Sequence, residues 1–387
     1  MEISTEIKAQ LNLLRQVHPE ILGWSDEQLM ALIQQAMQEE TEHDATPGEA
    51  DMARMSAEEC GAMGQQLLQQ GRWQEAEWWL FAGLKKAEQA GDLDIQCKTT
   101  GLLGQLCSNR GDTPQAMELS QQALGLAERL GDLRVQGTCY NQIGSIFLNQ
   151  GLYPQAIKHY CKGLEIEEKL GDEEGLAGGY GNLGNVYWQQ GDLVGAVDAY
   201  EKSLALSIKL GADQLTANQY GGLANVYRLQ GRFEFAIEMC RQGLNISERL
   251  GLEHISASIY ANLANIYLEQ GALDESLKMY DKSLAIRQSI GDEPGMGEIH
   301  GNLATVYKQK GDTARTLEHH RKSLDIAERI GNQHGAAISY FNLGLLYLDD
   351  IGDPEQARQH FEKAKALFEM LGLAENAQKA ARELRGL

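Results

Sequence analysis

Basic residues are scarce in this 387-residue chain: 34 Lys and Arg stand against 55 Asp and Glu, a formal charge of −21. Nucleic acids and anionic membranes call for a basic face, so neither is an expected partner. The longest basic clusters are the dipeptides Lys85-Lys86 and Arg321-Lys322. No run of about 18 apolar residues exists, so no membrane insertion is expected. The first ten residues, MEISTEIKAQ, lack the basic and apolar regions of a secretory signal, and a cytoplasmic location is the expectation. The cysteines, Cys60, Cys97, Cys107, Cys139, Cys161 and Cys240, form no CxxC pair and match no zinc spacing. They read as reduced thiols acting as small apolar residues. No P-loop, GxSxG, HExxH or dinucleotide fingerprint occurs, so no enzyme activity, cofactor or metal is expected. Proline, at 6 residues, is equally sparse.

Glycine is in surplus, with 42 residues and no collagen triplet or Gly/Ser linker to account for them. Their positions do. Gly71, Gly111, Gly151, Gly191, Gly231, Gly271 and Gly311 recur at a stride of 40, and Gly91, Gly131, Gly171, Gly211, Gly251, Gly291 and Gly331 form a second series offset by twenty. One inserted residue near Ile351 shifts both series, which resume at Gly352 and Gly372. Between the glycines apolar residues recur at three- and four-residue steps, as in Leu183, Val186 and Tyr187, then Ala196, Tyr200, Leu204 and Ile208. Each unit is therefore a helix A and a helix B joined by tight turns, where glycine suits a positive φ after a helix end. Asp92, Asp132, Asp172, Asp292 and Asn332 are placed to cap the following helix A. Thr113-Pro114 and Asp353-Pro354 read as N-cap then first turn of a helix B.

Three positions per unit stay small. Gly184, Ala196 and Ser203 hold them in the fourth unit, and a large side chain there would hold the paired helices apart. With Tyr180, Leu183, Tyr187 and Tyr200 around them, the order of large and small residues resembles the tetratricopeptide repeat family. The proline that family usually carries near the end of helix B is absent, and Glu88, Glu128, Glu168, Glu248 and Glu328 stand there instead. The long period is similar to that of the Partner of Inscuteable-type adaptors and of bacterial regulatory proteins of this family. The resemblance implies an all-α fold: a right-handed α-α superhelical solenoid of eight helix pairs with a capping helix at its C-terminal end.

The expected layout has a helical extension over 1–38, an acidic linker over 39–55 and the array over 56–373. Its units run about 57–91, 97–131, 137–171, 177–211, 217–251, 257–291, 297–331 and 337–372, and a capping helix covers 374–387. Within the extension, Ser25 with Gln28 reads as a capping box, and Leu29, Leu32, Ile33, Ala36 and Met37 as the apolar stripe of a second helix. The extension either covers the first unit, as array ends require, or detaches to lie in a groove or mediate self-association.

In tetratricopeptide superhelices the A helices line the concave face, so the resemblance says which positions to read. Asn182, Asn262, Asn302 and Asn342 recur at one such position, and Asn185, Asn225 and Asn265 three residues later; Asn141 joins them as an expected peptide contact. Asn offers both a donor and an acceptor, and peptide-binding members of the family use it here to clasp an extended backbone. The same pattern also suits packing, with Asn bridging adjacent A helices. Trp188, Arg228 and Lys308 fall near the end of helix A as an aromatic anchor and cations for acidic groups. His300 and His320 take positions that are aromatic in other units, with no third metal ligand evident.

The functional expectation is a non-catalytic scaffold that binds a protein or peptide segment. Three alternatives stay open: a ligand-responsive regulator resembling the receptors for bacterial signalling peptides, a subunit of an enzyme complex with no activity of its own, and a subunit that self-assembles through its N-terminal helices.

Overall fold

The structure, a computed structural model, describes residues 54–387. The extension expected over 1–38 and its two helices lie outside the described residues, as does the acidic linker but for its last two positions. The rest is all helix: seventeen α-helices and one short π-helix, with no strand among the described residues. Contacts divide the described residues into two compact units, one ending at Asp132 and the other Leu133–Leu387.

The first unit contributes α1 (Ala57–Gln69), α2 (Trp73–Ala90), α3 (Leu93–Asn109) and α4 (Thr113–Leu130). The second begins with α5 (Leu133–Asn149), α6 (Tyr153–Leu170), α7 (Glu173–Gln190) and α8 (Leu193–Leu210). It continues through α9 (Asp213–Leu229), α10 (Phe233–Arg249), α11 (Glu253–Glu269) and α12 (Leu273–Ser289). Then follow α13 (Glu293–Gln309), α14 (Thr313–Arg329), α15 (Gln333–Leu346), α16 (Pro354–Met370) and α17 (Ala374–Gly386). Odd-numbered helices up to α15 are the A helices and even-numbered ones the B helices. Each A helix packs on its own B helix, and within a unit each B helix packs on the next A helix, which is a helical solenoid.

All sixteen glycines of the two turn series have φ between +65° and +83°. At Gly191 the turn closes with Gly191 N–H donating to the Trp188 carbonyl at 3.1 Å and Asp192 N–H to Tyr187 at 2.9 Å. These bonds satisfy carbonyls the helix end would otherwise leave open. Asp172, Asp292 and Asn332 accept from the backbone three residues on, at 3.0, 2.9 and 2.9 Å, and Asp92 accepts from Asp94 and Ile95. One expectation is corrected: Asp112, not Thr113, caps α4, accepting from Gln115 N–H at 3.2 Å. Thr113 already has helical geometry, which places Pro114 one step deeper in the first turn.

The small positions are points of contact. A methyl group on Gly184 would lie 2.6 Å from the Tyr200 ring, and one on Gly344 2.6 Å from the Phe361 ring. Each B-helix ring thus seats directly on the A-helix backbone, and Tyr160, Tyr280 and Phe361 are fully buried there. The inserted residue near Ile351 is absorbed by the π-helix, Tyr347–Ile351, which widens one turn so that Gly352 still closes it. At the end, α17 packs on α16, burying Ala377 and Ala380. The six cysteines are free thiols, five of them buried.

Candidate functional site

In the second unit the A helices α7, α9 and α11 run side by side and enclose a pocket of about 460 Å³. Five of the expected residues line it: Asn182, Asn185 and Trp188 from α7, Asn225 from α9 and Asn262 from α11. Gly178, Gly181, Gly221 and Gly222 open the backbone to the cavity, and Leu215, Ile255 and Ile259 supply its apolar surface. Among the described residues no charged side chain lines it. A second pocket of about 310 Å³ lies further along the same unit and includes Asn302 and Asn342, with Glu298, Thr305, Asn332 and Ile338.

The Asn ladder is not uniform. The Tyr200 hydroxyl donates to Asn185 Oδ1 at 2.6 Å, and Tyr280 donates to Asn265 Oδ1 in the same way one pair of units later. Burial pushes both phenols above the ordinary tyrosine range, which keeps the donated proton in place. Asn262 Nδ2 donates to the Gly221 carbonyl at 3.4 Å, bridging adjacent A helices. Among the described residues Asn182, Asn225, Asn302 and Asn342 have no side-chain hydrogen-bond partner. Asn141 sits elsewhere: its Oδ1 is buried without a hydrogen-bond partner, where a methyl on Gly163 of α6 would meet it at 2.6 Å. It faces its own helix pair and lines neither pocket.

The two expected cations are engaged. Arg228 pairs with Glu269, and Lys308 with Asp350 at 3.3 Å; both pairs join one A helix to the next A segment. Arg228 Nε stays buried without a hydrogen-bond partner, and the Lys308 pair is partly exposed. Trp188 does reach the pocket, with its indole nitrogen buried and without a hydrogen-bond partner.

Sequence reading missed Asn218, Gln219 and Ser258, which line the first pocket. Gln219 is buried, and a methyl on Gly181 would meet its Nε2 at 2.7 Å. Asn218 and Ser258 lie four residues before the Asn182 position on the same helix face. The corresponding residues in other units are Gly178, Glu298 and Ile338, so no shared residue type marked the column.

His300 pairs with His319. His300 Nδ1 lies 3.1 Å from His319 Nδ1, and His319 stacks on Tyr307. His320 is buried as well. Burial pushes His300 and His320 down to about 4, and lowers His319. Among the described residues no three His, Cys, Asp or Glu converge as a metal site, and no helix is long and apolar enough to cross a membrane.

The tetratricopeptide repeat family profile matches residues 95–169, 135–209, 175–249, 213–289, 254–329 and 295–370, well over half of the chain. The chain belongs to the tetratricopeptide repeat family. No curated protein matches this tetratricopeptide repeat chain in sequence. Among solved structures it is similar to the apo quorum sensor NprR from B. thuringiensis, at 15% identity and a TM-score of 0.61, covering 91% of this chain and 99% of that one. It is likewise similar to a Rap protein complexed with competence and sporulation factor, at 15% identity and a TM-score of 0.61, covering 85% and 96%. The apo form of RapI gives 14% identity and a TM-score of 0.60, covering 71% and 99%. Likeness at this identity is likeness of fold.

Proposed function

We propose that this tetratricopeptide repeat protein is a non-catalytic interaction module that holds an extended peptide segment of a partner protein across α7, α9 and α11. The carrying observation is the 460 Å³ pocket whose wall includes Asn182 and Asn225, two amides with no hydrogen bond of their own. A peptide backbone presents alternating C=O and N–H groups, which such amides match without reading sequence. Glycine backbone in the wall lets the ligand chain come close, and Trp188 offers an apolar surface for one side chain. A cytoplasmic setting without nucleic acid, and self-association through residues 1–38, belong to the same proposal.

A second reading, a ligand-responsive regulator, is favoured by one comparison: a Rap protein of similar fold was solved in complex with competence and sporulation factor. Affinity capture from native lysate, followed by peptide mapping, tests both readings. The wild-type chain should retain a defined segment, and the triple variant Asn182→Ala, Asn225→Ala, Asn262→Ala should lose it at least tenfold with an unchanged melting temperature. A free short peptide among the retained species marks the regulator, and a segment of a larger protein the adaptor. Equal retention by the triple variant counts against the site.

A further inference from the structure

The first helix pair, α1 with α2, differs from the later ones on two faces. Later A helices are covered on one side by the preceding B helix, and that side is apolar: Leu106 packs with Ala76 and Leu80, and Val306 with Tyr280. Gln66 holds the corresponding position of α1 and is exposed. Glu59, also exposed, stands where Ile259 and Ile299 are buried. Its carboxylate accepts from Ser56 N–H at 2.7 Å, and Ser56 Oγ accepts from Glu59 N–H at 3.2 Å, so the helix starts there with its own cap. The end of the array thus presents polar side chains and a finished helix start.

The outer stripe of α2 is the reverse. Trp78, Phe81 and Lys85 stand three and four residues apart and share one stripe, opposite the buried Ala76, Leu80, Gly83 and Ala87. Trp78 is half-buried and Phe81 is 47% exposed. In the other pairs these two aromatic positions are polar, Cys161 apart, as in Asp198 with Glu201 and Glu318 with Arg321. Two rings at solvent positions of one module alone leave apolar surface to be covered.

We propose that residues 26–38 of the same chain lie along this outer stripe of α2, on the side of the array rather than over its end. Leu29, Leu32, Ile33, Ala36 and Met37 recur in that segment at helical spacing and supply the apolar stripe to meet the rings. The chain arrives beside α2: the Met55 carbonyl accepts from Lys86 Nζ, and a methyl on Gly83 would meet the Ala57 carbonyl at 3.1 Å. Residues 39–54 span up to about 50 Å when extended, against a helix diameter of about 10–12 Å, so the segment reaches the far side of α2 with slack. Charge sets its direction. Glu39, Glu40, Glu42 and Asp44 follow the apolar stripe directly, and Lys85 closes the aromatic one, so the segment runs parallel to α2 with Met37 over Phe81. Ile7, Leu11 and Leu14 stay outside this contact and remain for the self-association proposed above.

Disulfide cross-linking of the full chain tests the placement, in a Cys161→Ser background that leaves only the buried native thiols. Met37→Cys with Phe81→Cys should close within one chain on mild oxidation, as read by peptide mapping of the monomer band. Met37→Cys with Gln121→Cys, the matching position of α4, should stay reduced. A cross-link to Gln66→Cys in place of Phe81→Cys puts the segment over the array end and overturns the inference. A disulfide between the first two positions that joins two chains makes a second copy the occupant and overturns it as well, as does no reaction at Phe81→Cys. A second measurement needs no added thiol. The variant Trp78→Glu with Phe81→Glu places on α2 what the other pairs already carry, so the array should keep its melting temperature. Chymotrypsin should then cut after Leu29 and Leu32 about tenfold faster than in the wild type, because cleavage follows the population of the open segment. Equal cutting in the two proteins counts against the contact.

Discussion

At the scale of single residues, this molecule is governed by what a side chain meets on the facing helix. Gly184 is the clearest case, because the Tyr200 ring occupies the space a methyl would need. Gly184→Ala should destabilise the protein by about 1–3 kcal/mol, since a ring held on several sides cannot move off. Urea unfolding measures it; Gly178→Ala, where a methyl meets nothing within 4 Å, should be neutral or slightly stabilising. The same scale decides how far the site was legible. Reading down the A helices found Asn182, Asn185, Asn225 and Asn262, and the pocket gathers all four. It could not tell them apart, because the difference lies in what each side chain meets on another helix: the Tyr200 hydroxyl for Asn185 and the Gly221 carbonyl for Asn262. The ion-pair partners of Arg228 and Lys308 were hidden for the same reason: Glu269 and Asp350 stand on the next A segment.

At the scale of elements, helix pairs were legible because two glycine series at a regular stride read as turns, one series closing the A helices and the other the B helices. What sequence hid was pairwise contact between helices, and α13 with α14 shows it. His300 and His320 hold rings in positions filled elsewhere by tyrosine, such as Tyr260 and Tyr280. Both are held down to about 4 by burial, with Lys322, Glu318 and Lys308 as the nearby charges. An unfolded histidine takes its proton near pH 6.5. Between that pH and about 4 the unfolded chain therefore binds more protons than the folded one, and stability falls as pH falls. The loss at pH 5 should be about 2 kcal/mol per ring. Comparing urea midpoints at pH 7 and pH 5 checks this. His300→Tyr with His320→Tyr should flatten the difference, and an equal pH dependence in that variant would count against it.

At the scale of the whole molecule, charge is the dominant fact. Ion pairs recur between one helix and another thirty-six residues on: Lys209 with Glu173 at 2.5 Å, Arg249 with Asp213 at 3.0 Å, Lys310 with Asp274 at 2.5 Å, and Arg329 with Glu293. They are exposed, and exposed pairs contribute about 0–1 kcal/mol each. Against them stands the self-repulsion of a net charge of −21. Screening weakens both, and the net repulsion is the larger quantity. The melting temperature should therefore rise by a few degrees as sodium chloride goes from about 0.05 to about 1 M. A falling melting temperature would show that the ladder of pairs outweighs the repulsion.

The fixed stride of the turn glycines has a consequence for how such a chain changes by recombination. Two units of equal length can exchange, and one can be lost or gained, with every helix length and every turn glycine preserved. The π-helix at Tyr347–Ile351 marks where that freedom ends. An exchange across it carries the extra residue into the interior or deletes it, so the final helix pair is the one module that cannot be swapped without rebuilding a turn.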